Sequence, residues 1–164
     1  MSTRALTRVR QVWDLLTKRT SPEDEVWALS VLQGPEVTLY RGMQRYDRYH
    51  CTSVARRFAE LEPPAWALKG ALLHDCGKPW GYGLFWRVFV VLFPDPDIPS
   101  APRARLPWRW AQQLYRWHGL YGAERARAAG LNEDACTIIR DHHARGAVQG
   151  DAPWLAEFQR IDDD

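Results

Sequence analysis

Apolar residues recur along this chain at steps of three and four, the spacing of helices that each bury one face. Leu6, Val9, Val12, Trp13 and Leu16 set that rhythm in residues 4–18, with Arg4, Arg8, Arg10 and Lys18 on the remaining arc, and predict a packing helix. Ser21-Pro22-Glu23-Asp24 then reads as an N-cap, a first-turn proline and two acids at the positive end of a helix dipole. The helix it opens is predicted to reach about Leu32 and to stop at Gly34-Pro35. From about Asp47, the series His50, Val54, Phe58 and Leu61 puts His50 on the buried face of an amphipathic helix that a Pro63-Pro64 break closes. Trp66 to Asp75 predicts the next helix, with Ala67, Gly70 and Ala71 small enough to admit a neighbour, and Gly77 and Pro79 as its stop.

The apolar run 82–93 predicts a buried helix, and the prolines from Pro94 to Pro102 demand a loop, either a lid over a site or a plain connector. Pro107-Trp108-Arg109-Trp110 opens a helix towards Trp117, and a further helix is predicted to start at His118-Gly119-Leu120-Tyr121-Gly122-Ala123, where glycines let backbone or ligand approach closely. Trp108, Trp110 and Trp117 could stack on a base, although aromatic residues at helical spacing more often fill a core. Asn132-Glu133-Asp134 caps a helix carrying Ala135, Ile138, Ile139 and His142. After a turn from Gly146 to Asp151, Leu155, Phe158 and Ile161 mark a last helix that brings Asp162 inward. No repeat and no hairpin signal stands out, so the predicted fold is all-α: a single-domain helical bundle, with residues 1–44 as an N-terminal extension packed on residues 45–164.

Composition narrows the function. A chain of 164 residues that is 46% hydrophobic suits one globular domain. A net charge of +2 is too small to suggest a nucleic-acid partner, although arginines can hold phosphates locally. Cys51, Cys76 and Cys136 are odd in number and lack paired spacing, which predicts reduced thiols in a cytoplasmic protein. The polar, basic start of the chain does not read as a signal peptide. Leu84 to Phe93 contains Arg87 and is far shorter than the ~20 residues of a spanning helix. Trp80, Tyr82, Phe85 and Trp86 leave a surface-lying segment as an alternative.

The histidines carry the candidate chemistry. There are five, His50, His74, His118, His142 and His143, each on a segment that reads as a helix or a helix start. Helix neighbours point about 100° apart, so His74 and Asp75 reach one ion only where the last turn opens at a cavity. Lys78 would project into the same cavity as a mobile positive charge. With Asp162, the order His, His-Asp, His, His-His, Asp supplies imidazole and carboxylate ligands for one or two divalent ions, among them Mn, Fe, Co, Ni, Zn or Mg. Cys51 and Cys76 each follow a candidate ligand and, as helix neighbours, are expected to face away and pack.

Five pieces together resemble the HD superfamily of metal-dependent phosphohydrolases. They are Tyr49-His50-Cys51-Thr52-Ser53-Val54-Ala55, Leu72-Leu73-His74-Asp75-Cys76-Gly77-Lys78, His118-Gly119-Leu120-Tyr121-Gly122-Ala123, Ile138-Ile139-Arg140-Asp141-His142-His143 and Ile161-Asp162-Asp163. The resemblance covers roughly residues 45–164 and implies a metal-binding helical domain of the HD type. A first ion would be held by His50, His74, Asp75 and Asp162, with Asp163 as the neighbouring alternative; a second would engage His118, His142 and His143, bridged by Asp75, the alternatives being a phosphate contact for His118 and a hold on the nucleophile for His143. Catalytic roles fall to Asp75, Lys78 and His118, and substrate contacts to Lys78, Arg109 and Arg145.

The run from His118 through His142-His143 is most similar to small bacterial HD hydrolases, including those that split symmetrical dinucleoside tetraphosphates. A nucleotide or dinucleotide polyphosphate, or another phosphate ester, is the implied substrate. The cyclic-dinucleotide branch carries Gly-Tyr-Pro after its His-His pair, where this chain reads Ala144-Arg145-Gly146-Ala147-Val148. Alternatives are a non-catalytic nucleotide- or signal-binding domain and a helical interaction module stabilised by an ion. Homo-oligomerisation is left open.

Overall fold

The computed structural model describes residues 19–78, 83–144 and 153–163. The helix expected over 4–18, Trp80, Tyr82, Arg145 and the 146–151 turn lie outside them. Among the described residues there are eight helices and no strand: α1 (Pro22–Val31), α2 (Pro35–Gly42), α3 (Arg45–Ala59), α4 (Ala65–Leu73), α5 (Leu84–Leu92), α6 (Pro107–Ala128), α7 (Glu133–Asp141) and α8 (Pro153–Asp162). The chain is therefore all-α, as its periodicity predicts.

Local chemistry sets the helix starts. Ser21 Oγ accepts the Asp24 amide at 3.0 Å and Asn132 Oδ1 accepts the Ala135 amide at 3.0 Å, each satisfying a donor the helix leaves open. Gly34-Pro35 does more than end α1. Gly34 adopts φ 49°, a conformation a side chain would oppose, and turns the chain so that Pro35 opens α2 in its first turn. The sequence reading had assigned that segment no helix.

α4 runs through the middle of the bundle, packed against α3 and α7; α7 also packs on α6, and α8 on α3 and α7. Val54, Phe58, Leu72, Leu73, Ile138, Ile139, Leu155 and Phe158 form the buried centre of these contacts. α1 and α2 join the same core. Buried Tyr40 shares a 2.8 Å hydrogen bond with Thr52, and Lys69 pairs with Glu36 at 2.8 Å.

Three expectations need correction. Residues 107–128 form one helix of 22 residues rather than two meeting at His118. Gly119 and Gly122 do not break it, because they lie where α7 crosses: a Cβ on Gly119 would sit 2.5 Å from the Arg140 carbonyl oxygen. The propensity lost at glycine, about 1 kcal/mol each, is offset by the close packing it permits. Second, α5 is not a buried helix. Among its described side chains only Val90 is fully enclosed, in a small cluster with Ala111 and Leu114, whereas Phe85 is 70% exposed and Leu92 58%. Apart from Arg87 its residues are apolar on every side, and among the described elements it packs chiefly on α6. Third, His50 is at an edge of the core, its side chain 33% exposed.

The proline loop is fastened along α6. Gln113 Nε2 donates to the Pro99 and Pro102 carbonyls at 2.7 and 3.0 Å, Trp117 Nε1 to Ile98 at 2.8 Å and Tyr121 Oη to Ser100 at 2.6 Å. Such anchoring favours a connector over a lid, and it engages the Trp117 N–H in structure. No helix of the described residues is long and apolar enough to cross a membrane.

A Cβ on Gly77 would collide with the His118 carbonyl and lie 2.7 Å from the Gly122 amide. Backbone cannot yield as a flexible side chain can. Gly77→Ala is therefore expected to lower stability by about 2 kcal/mol, whereas Gly42→Ala, whose Cβ would meet nothing, should change it little. Denaturant midpoints of the two variants provide the comparison.

Candidate metal centre

α4 ends at Leu73, and the turn that follows carries His74 and Asp75 into the interior, 0% and 3% exposed. Three histidine rings there share one device. His74 Nδ1 lies 2.8 Å from the Ala71 carbonyl, His118 Nδ1 2.9 Å from Tyr115 and His142 Nδ1 2.7 Å from Ile139. A carbonyl only accepts, so each Nδ1 carries the hydrogen and each Nε2 presents a lone pair. Each ring is thereby locked by its own helix in the form a metal ligand takes.

Those lone pairs converge on Asp75. Its Oδ1 is 3.4 Å from His118 Nε2 and 3.7 Å from His142 Nε2, while Oδ2 is 3.9 Å from His74 Nε2. His118 Nε2 and His142 Nε2 stand only 3.1 Å apart. A proton between them is disfavoured, because burial, aided by the nearby Lys78 charge, pushes His118 from its ordinary 6.5 down to about 3. Burial together with His74 and His118 likewise holds His142 well below its ordinary value. Two facing lone pairs repel unless a cation takes both. The exposed His143 completes this group, its ring centroid 4.1 Å from that of His142 and 5.3 Å from that of His118.

A second group lies on the other side of Asp75. Asp162 Oδ1, at the end of α8, is 3.1 Å from His50 Nε2 and 3.6 Å from His74 Nε2. In each group the ligand atoms lie within 4.8 Å of one another. Asp75 Oδ1 and Asp162 Oδ1 are both buried without an aligned hydrogen bond. Gln159 donates to the Asp141 and Ala144 carbonyls at 2.7 and 3.1 Å, tying α8 to the turn that bears His142 and His143.

Charge is balanced locally. Lys78 Nζ sits 2.6 Å from Asp75 Oδ1. Burial would raise the Asp75 carboxyl, but the Lys78 ammonium outweighs it and keeps the group well below the usual carboxylate range. Asp162 is likewise lowered, with His50 Nε2 3.1 Å from its Oδ1. Burial opposes the charge on Lys78, yet Asp75 and Asp47 raise its pKa and keep it an ammonium.

The donor set fits divalent metals: imidazoles and ionised carboxylates, two of whose buried oxygens lack an aligned hydrogen bond, gathered from α3, the end of α4, α6, the end of α7 and α8. Cys51 Sγ comes within 3.9 Å of His74 Nε2, closer than its place beside His50 suggested. Burial, with Asp75 and Asp47 nearby, holds that thiol well above its ordinary pKa, so it packs as a neutral group. Cys76, pushed up to about 12 chiefly by burial, donates to the Gly122 carbonyl at 3.5 Å.

Of the residues singled out in the sequence, the structure brings together His50, His74, Asp75, Lys78, His118, His142, His143 and Asp162; Asp163 is exposed. Arg109 is apart from them. Its side chain is 51% exposed and 3.8 Å from Asp95, and nine residues of α6 put it roughly 13 Å along the axis from His118. Sequence reasoning missed Asp47 and Arg87, a part-buried ion pair at 2.6 Å whose carboxylate lies one helical turn before His50. Two signals pointed to it: Asp47 shares a helix face with His50, and Arg87 is the lone charge in an apolar run.

The sequence model of the HD domain family matches residues 48–159. No curated protein and no solved structure matches the chain. The matched span holds six of the seven candidate metal ligands and most of the chain, and the protein belongs to the HD domain family, part of the metal-dependent phosphohydrolase superfamily.

Proposed function

We propose that this protein is a metal-dependent phosphohydrolase acting on a nucleotide or dinucleotide polyphosphate, or a related phosphate ester. The observation that carries the reading is the ring of carbonyl-locked histidines whose bare Nε2 atoms surround Asp75, two of them 3.1 Å apart. His50, His74, Asp75 and Asp162 would hold one ion; His118, His142 and His143 would hold a second against the other Asp75 oxygen. When bound, such ions supply an acidified water and polarise the phosphoryl group.

The chain's own residues do the rest. Locked Nδ1 hydrogens keep the rings from turning, so the ligand sphere needs little reorganisation on binding. Lys78, at 15% exposure the more accessible member of its pair, would offset charge on the phosphate. Residues 45–164 form the catalytic part in this reading and 1–44 an extension supporting it. The substrate class is supported by the likeness of the His118 to His143 run to small HD hydrolases.

The test is phosphate or mononucleotide release from a panel of nucleotides and dinucleotide polyphosphates, with protein loaded with manganese or iron. Release that a chelator stops is expected. Stabilisation by a nucleotide with no release would make the chain a binding domain, and unfolding on chelation would make the ion structural.

A further inference from the structure

We propose that Arg87 is a phosphate-binding residue of this centre and that Asp47 is the positioning residue that aims it, an inference that rests on the phosphohydrolase reading. α5 reads Leu-Phe-Trp-Arg-Val-Phe-Val-Val-Leu, with Arg87 as its one charged residue. That charge is turned onto α3, where Arg87 Nη2 donates to Asp47 Oδ2 at 2.6 Å. Asp47 lies one turn before His50. Tyr46 stacks on the His50 ring at 6.5 Å and 9°, and the Arg87 guanidinium is 6.0 Å from the Tyr46 ring centre. Two ring contacts, Arg87 on Tyr46 and Tyr46 on His50, thus link the guanidinium to the first ligand group.

The order of charge from inside to outside decides what such a site takes. The Asp47 and Asp75 side chains are 1% and 4% exposed, and their partners Arg87 and Lys78 are 14% and 15% exposed. In each pair the carboxylate is the more enclosed member and the cation the more accessible one. A ligand arriving from solvent meets two positive groups first, which favours an anion. Asp47 interacts electrostatically with Asp75 and Lys78 as well as with Arg87, which makes the four charges one cluster.

Fastening α5 to α3 does not by itself call for these residues. A buried ion pair adds little net stability over well-packed apolar side chains, and α5 has apolar residues on every side. A guanidinium held from behind by a carboxylate does, however, present its planar fork in a fixed direction, the form that matches two phosphate oxygens. With Asp75 committed to a cation, Lys78 loses its 2.6 Å partner. Asp47 Oδ1, buried without a hydrogen bond, then remains as an acceptor in the same charge cluster.

The experiment uses the full chain loaded with manganese, inorganic phosphate as the probe, calorimetry for affinity and elemental analysis for metal content. Arg87→Gln is expected to weaken phosphate binding about tenfold, the size of one charge-assisted hydrogen bond, at unchanged metal per chain. Arg87→Lys keeps the ion pair and the fold but loses the fork, and should weaken binding about threefold. Asp47→Asn supplies the sign test. Removing a negative charge would by itself strengthen phosphate binding, whereas loss of a positioning residue weakens it. Equal affinity of wild type, Arg87→Gln and Arg87→Lys at equal metal content overturns the Arg87 assignment and leaves the hydrolase reading standing. Tighter binding by Asp47→Asn overturns its positioning role. A wild type that carries manganese yet binds no phosphate overturns both readings together.

Discussion

Replacing Asp75 by alanine is expected to slow phosphate release by about a thousandfold or more, roughly 4 kcal/mol of transition-state stabilisation, and to strip most of the metal. Asp75 is the side chain that faces both ligand groups, with Oδ1 towards His118 and His142 and Oδ2 towards His74. Removing any one histidine takes a ligand from one group or from the boundary between them; removing Asp75 takes the bridge and the negative charge at once. The fold should survive. Asp75 belongs to a turn after α4 rather than to a helix interior, and Lys78, partly exposed and freed of its partner, can turn to solvent. Far-ultraviolet circular dichroism should accordingly keep its helical form. Asp75→Asn separates charge from shape, since the amide fills the same space without the charge, and an equal loss is expected. Turnover unaltered in either variant would put the reaction somewhere other than this cluster.

Acid is expected to destabilise the metal-free protein well before its carboxylates titrate. His118 is lowered in the folded state from 6.5 to about 3 by burial, by Lys78 and by His143. A folded pKa below the unfolded one means that, between those two values, the unfolded chain binds the proton and the folded chain does not. Stability is then complete above pH 6.5 and falls as pH drops below it. At about 1.36 kcal/mol per pH unit, His118 alone removes roughly 2.7 kcal/mol by pH 4.5. His142 and His143, also lowered chiefly by burial, act in the same direction. Asp75 and Asp162 are lowered too, but carboxylates work in a different window: their stabilisation is present above the unfolded value of 3.8 and is lost only below it. Urea midpoints with chelator should thus drop between pH 7 and 4.5, and His118→Gln should flatten the drop. A profile level down to pH 4.5 would show that these imidazoles are not held neutral by the fold. Added metal should protect against mild acid, because it binds the unprotonated form.

How far the chain could be read without coordinates depended on how local each signal is. Ser21 and Asn132 cap helices as expected, because a cap involves residues three apart. Gly34-Pro35 was read only as an end, since a turn and a new start look alike until the next segment finds a core to pack on. Gly119 and Gly122 suggested a helix start, and in the structure they are contact points for a crossing helix. The rule that helix neighbours face apart was right for the bulk of Cys51 but did not foresee its sulfur 3.9 Å from His74 Nε2, a distance set by how α3 meets α4. Asp47 and Arg87 were passed over for the same reason, being 40 residues apart with only packing to join them.

What the sequence by itself determined is the all-helical class, most helix positions and the inventory of imidazoles and carboxylates, because periodicity and residue chemistry are properties of short segments. Tertiary structure alone decided that Asp75 stands between two ligand groups, that Phe85 and Leu92 of α5 stay exposed and that Arg87 is drawn onto Asp47. Those facts depend on distances between elements far apart in the chain, which are set when close-packed helices choose among many sterically possible neighbours.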